Sequence, residues 1–216
     1  KTAYEIRNCD WSSDVCSSDL LSNLIPLTII FIASLFFLLA SFGINFYQYL
    51  YFLSPSENQL YFSSLEETYF VKGEYWRIFT PALMHFSLTH LLFNCLWVYV
   101  VGLEIQKVQG KLALLLIIFT SGIIANFSEY FLYESIRFGG LSGVVYGLFG
   151  YCFAKEIILK QYHFSFPPSL YTFIFIWLLV GYTDILYYLG FGMIANGAHL
   201  GGLLSGALIG IIPSKK

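Results

Sequence analysis

Apolar residues in this chain come in long unbroken runs, not in the alternation of a strand or the narrow stripe of a surface helix. Runs near the ~20 residues needed to cross a bilayer recur at 24–45, 83–103, 112–132, 142–159, 169–188 and 197–213. Each predicts a transmembrane helix, because backbone in lipid must satisfy its own hydrogen bonds. The period-two pattern of a barrel strand is missing from these runs. The expected fold class is all-α: a polytopic membrane protein whose single domain is a six-transmembrane-helix bundle.

The polar breaks are mostly short. The exception is a segment at about 46–82, rich in Tyr, Phe, Ser and Glu. It is too long for a simple connection and too aromatic for a disordered linker. An interfacial loop with short amphipathic helices is expected there. Residues 1–20 stand apart from everything after them. KTAYEI and DWSSDVCSSDL look like the translated sequence of a short-read sequencing adapter, with Arg7 to Cys9 where its variable index lies. We read 1–20 as non-native and 21–216 as an N-terminally truncated membrane domain.

Composition narrows the class. The chain is 57% hydrophobic and 11% charged with a mean hydropathy of +0.70, unlike a soluble domain. Without residues 1–20, nine basic and nine acidic residues remain. A net charge near zero leaves no basic surface, so no nucleic-acid partner is expected. Cys95 and Cys152 fall inside predicted spans and read as small buried apolar residues. Lys107, Lys111, Lys155, Lys160, Lys215 and Lys216 follow spans two, four and six, against Lys72, Arg77 and Arg137 on the other side. That bias predicts cytoplasmic termini for the core, with the N-terminal ends of spans two, four and six facing outward.

Polar residues able to do chemistry are costly at bilayer depth and mark functional sites. Ser142 opens span four in Gly140-Leu141-Ser142-Gly143, and His199 lies near the start of span six in Ala198-His199-Leu200. Gly143 and Gly147 on span four, and Gly202, Gly206 and Gly210 on span six, form small-residue stripes that let helices approach closely. Such an approach is expected to bring the Ser142 hydroxyl within hydrogen-bond reach of the imidazole, as an activated nucleophile requires. Tyr146, one turn after Ser142, is placed to pack on that ring. On span two, His90 and Asn94 are i and i+4 and share a face. Together with the Ser142 amide they are candidate donors to a developing oxyanion.

Other chemistries fit less well. His85 and His90 are not in an H-E-x-x-H pattern, which argues against a zinc protease. Val144 stands where a G-x-S-x-G elbow needs its last glycine, which excludes an α/β-hydrolase. A channel or transporter would show broken helices in inverted repeats. Asp184 is read as a loop charge outside the mechanism. No cofactor or metal is implied.

The motifs WR at Trp76-Arg77, HFSLTHLLFN, GGLSGVVYG and NGAHLGGLLSG, in that order between Trp76 and Gly210, resemble the rhomboid family of intramembrane serine proteases, in its six-span bacterial form. The resemblance implies a rhomboid-like bundle in a bacterial inner membrane, with the site open to the extracytoplasmic side. It implies a Ser142–His199 dyad, an oxyanion site of His90, Asn94 and the Ser142 amide, and Tyr146 stacked on the base. Gly140, Gly143, Gly202 and Gly206 would support the site, and Trp76-Arg77 would be structural. His85 matches the pattern without an assigned step. Met193 and Asn196 would border the site. Span five, with Phe173, Phe175, Ile176 and Trp177, resembles a lateral gate. The implied partners are the lipid bilayer and single-span membrane-protein substrates. The alternative is a non-proteolytic relative that binds membrane clients.

Overall fold

A computed structural model of the chain describes residues 24–44, 46–56, 61–161, 164, 166–183 and 185–212. Residues 1–20, Glu57, Asp184, Lys215 and Lys216, on which some of the sequence expectations rest, lie outside them. Among the described residues the structure is helical, apart from one isolated bridge between Pro55 and Phe62. The helices are α1 (Leu24–Ser41), α2 (Leu88–Gln109), α3 (Lys111–Tyr133), α4 (Ser142–Phe153), α5 (Pro168–Val180), α6 (Ile185–Tyr188) and α7 (Asn196–Ile211). Each predicted span holds a helix. Three of them, α1, α2 and α3, are long and apolar enough to cross a membrane.

Local chemistry sets the ends. Span two was expected from residue 83, but Pro81 lies in a 3-10 turn and α2 starts only after Ser87, whose hydroxyl accepts the His90 amide at 3.2 Å. Gly110, at φ +86°, separates α2 from α3. The run predicted over 169–188 breaks after Val180, where a turn precedes the single-turn α6.

The surface is inverted relative to a soluble protein. Leu96, Leu112, Leu116, Phe119 and Leu208 are exposed, whereas Gln106, Ser121, Asn126 and Ser205 are buried. That is the arrangement expected where lipid surrounds the bundle. The centre of the fold is α4, buried on all sides from Gly143 to Cys152. Glycine makes this possible. A Cβ on Gly202 would collide with the Gly143 carbonyl, and one on Gly206 with that of Gly147, so α4 and α7 touch backbone to backbone.

The described residues of the 46–82 segment include short 3-10 and π turns at Tyr47–Tyr49, Glu67–Val71, Tyr75–Ile78 and Thr80–Leu83. Arg77, 2% exposed, holds the segment together. Its Nη1 donates to the Gln48 and Tyr51 carbonyls at 2.9 and 3.0 Å, and its Nε to Glu74 at 2.7 Å. Burial pushes the Glu74 carboxyl up, but the Arg77 hydrogen bond and charge outweigh it and leave Glu74 below the usual carboxylate range. Trp76 Nε1 donates to the Tyr49 carbonyl at 3.1 Å. Asn126 of α3 donates to the Ile78 carbonyl at 2.9 Å, seating the segment on the bundle.

Candidate active site

Ser142 is the first residue of α4, so its amide is among the first-turn donors with no partner inside the helix. The two residues before it are fixed from three directions. Gly140 N–H donates to the Pro81 carbonyl at 3.1 Å, and Leu141 N–H donates to His85 Nε2 at 3.3 Å. Gly140 has φ +122°, and a Cβ there would fall 2.8 Å from His90 Nε2 and 3.6 Å from Asn94 Nδ2. A side chain is therefore excluded twice, by backbone strain and by the facing groups of α2.

His90, Asn94, Ser142, Tyr146 and His199 line one cavity between α2, α4 and α7. Trp177 of α5, Leu186 of α6 and Phe191 close its remaining side. Its water-sized space is about 30 Å³, enough for a water or two and far too small for a peptide. Tyr146 lies on the His199 ring, with centroids 4.5 Å apart and 34° between the planes. Close packing of α4 and α7 was expected to bring the Ser142 hydroxyl within reach of that ring. The two share the cavity, but no hydrogen bond joins them in this structure. Catalytic hydrogen bonds commonly tighten only once substrate is bound. His199 Nδ1 and the Tyr146 hydroxyl are buried without a hydrogen-bond partner.

Two residues are more involved than their sequence context suggested. The family resemblance assigns His85 no catalytic step. Its Nε2 accepts from the Leu141 amide, which can only donate, so the ring proton sits on Nδ1. Nδ1 faces the Leu83 carbonyl at 3.4 Å. Asn94 must then present its NH2 to Nε2, at 3.2 Å, which fixes the orientation of its amide. The second is Glu129 of α3, whose carboxylate accepts from the Ala198 amide at 3.1 Å. Its only sequence signal was an acid inside an apolar run.

The remaining candidates lie at the rim. Met193 is 88% exposed, and Asn196 opens α7 beside Gly181. A family model for the rhomboid domain matches residues 72–216. The chain belongs to the rhomboid family. It is 42% identical over 135 residues to rhomboid protease GlpG of Pectobacterium atrosepticum, a match covering 62% of this chain and 47% of that protein. The chain thus spans about half the length of this curated rhomboid relative.

Proposed function

We propose that this rhomboid is an intramembrane serine endopeptidase working through Ser142 and His199. The observation that carries the reading is the shared cavity: the Ser142 hydroxyl, the His199 imidazole with no carboxylate on it among the described residues, and His90 and Asn94 from α2 as donors. His199 takes the Ser142 proton as the hydroxyl oxygen attacks the scissile carbonyl. His90, Asn94 and the Ser142 amide donate to the resulting oxyanion. His199 passes the proton to the departing amine, and water hydrolyses the acyl-enzyme by the same steps. Tyr146 holds the base in place by stacking.

A transmembrane helix has its amides satisfied internally, so a substrate must unwind locally before it can be cut. Single-span proteins with small, helix-destabilising residues near the outer end of the span are the expected substrates. The small cavity requires α5 and α6 to give way first. In this reading α4, α5 and α7 also cross the bilayer, giving six crossings of a bacterial inner membrane. The lysine bias puts the termini of the core in the cytoplasm and the site toward the outer face.

Labelling by a fluorophosphonate tests the proposal. Chain beginning at residue 21, in detergent, should be labelled as wild type and left unlabelled as Ser142→Ala or His199→Ala. No label on folded wild type would favour a client-binding protein without proteolysis.

A further inference from the structure

His199 occupies the first turn of α7, directly after Gly197 and Ala198. That is an awkward place for a general base. The positive end of a helix disfavours a protonated imidazole and so weakens it as a proton acceptor. The residue before α7, Ala195, has no side-chain acceptor to cap the free amides. Glu129 supplies the acceptor from α3, taking a hydrogen bond from the Ala198 amide at 3.1 Å. The fit is close: a Cβ on Gly197 would lie 2.9 Å from Glu129 Cα and 3.0 Å from its Oε2.

We propose that Glu129 is a positioning residue for His199, whose carboxylate fixes the first turn of α7 and offsets the helix end that opposes protonation of the imidazole. This rests on the proteolytic reading of Ser142 and His199. It assigns to a backbone-bound carboxylate the electrostatic part that an aspartate on the imidazole plays in a Ser-His-Asp triad. The carboxylate lies against the positive end of α7, with the Ala198 amide donating to it. Glu129 also borders an outward cavity of about 250 Å³ that water can enter. His199 faces His90 from α2 and Ser142 and Tyr146 from α4. Glu129 has Tyr182, after α5, within electrostatic range and shares its cavity with Arg137. Among these described groups Glu129 is the one acid.

The test is Glu129→Gln, which keeps an acceptor for the amides and removes the charge, beside Glu129→Asp, which keeps the charge. Removing the negative charge destabilises the imidazolium, so the proton is lost at lower pH. The acid limb of kcat/KM, and the His199 titration followed by NMR of carbon-13-labelled histidine, should both move down by roughly half to one pH unit in Glu129→Gln. The Asp variant should stay close to wild type. Glu129→Asn is the second neutral variant should Gln not fold. A His199 midpoint unchanged in the neutral variant overturns the proposal, leaving Glu129 as a helix cap. So does a wild-type imidazole that never protonates in the accessible range. An unreactive Ser142 with a moving His199 titration would instead sink the proteolytic reading and leave the Glu129 coupling standing.

Discussion

The two walls of the cavity are built differently. On one, α4 meets α7 through Gly143, Gly147, Gly202 and Gly206, with carbonyls where side chains would otherwise be. On the other, aromatic side chains close the cavity where α5 meets α2 and the segment after α6: Phe93 of α2 stacks on Trp177 of α5 at 5.0 Å, and Phe191 meets both rings edge-on. Backbone contact leaves no adjustable group between the helices, so it fixes their spacing. Aromatic contacts can separate and reform in other arrangements at small cost. Phe173, Phe175, Ile176 and Leu179 on α5 are already exposed. Ser142 and His199 sit on the fixed wall, and the adjustable wall covers the approach to them.

The largest effect should come from forcing the fixed wall apart. In Gly202→Leu the new side chain meets the Gly143 carbonyl and Cα, which cannot rotate away. Overpacking of this kind costs about 1–3 kcal/mol or more. We expect no detectable cleavage and a Tm lower by about 5 °C or more. Leu204→Ala, at an exposed position of the same helix, is the control and should leave both unchanged. A Gly202→Leu protein with wild-type Tm would mean that the helices are not held by this contact.

Next come the donors facing Gly140. The double variant His90→Ala, Asn94→Ala should lower kcat by ~10²–10³-fold if both serve the oxyanion. Fluorophosphonate labelling should fall with it, since the probe also develops charge on oxygen. Cleavage at the wild-type rate would remove α2 from the chemistry and leave the fixed wall to act alone.

How legible each wall was in the sequence follows from what builds it. The glycine stripe and the Ser142 and His199 motifs are local patterns, and a helical period suffices to place them on facing surfaces. His85 and Glu129 could not be read this way. Their partners, the Leu141 and Ala198 amides, lie 56 and 69 residues away in the chain, and backbone amides carry no sequence signature. The absence of a capping side chain at Ala195 was the trace that an acceptor had to come from elsewhere. Hydropathy alone also missed the break after Val180. Gly181, Tyr182 and Thr183 continue an apolar window, but Gly181 packs against Asn196, where its Cβ would sit 2.8 Å from Oδ1. The adjustable wall was therefore predicted as one long helix and is found as two pieces joined by a turn.

That break sharpens the expectation for the smallest effect. A short α5 tethered through a turn can tilt without dragging α7, so the resistance to opening is concentrated in its aromatic contacts. The Phe93–Trp177 stack should be worth about 0.5–1.5 kcal/mol. If the closed state dominates, removing it raises the open population by roughly 2- to 10-fold. Trp177→Val should thus speed cleavage of a single-span substrate in proteoliposomes by that factor. Phe175→Ala is a useful companion, because Phe175 contacts Phe153 of α4 at 5.3 Å, outside the cavity. A gain in both variants would mean that the whole helix tilts. A gain in Trp177→Val alone would confine the motion to the end nearest Ser142, and no gain in either would show that α5 does not limit entry.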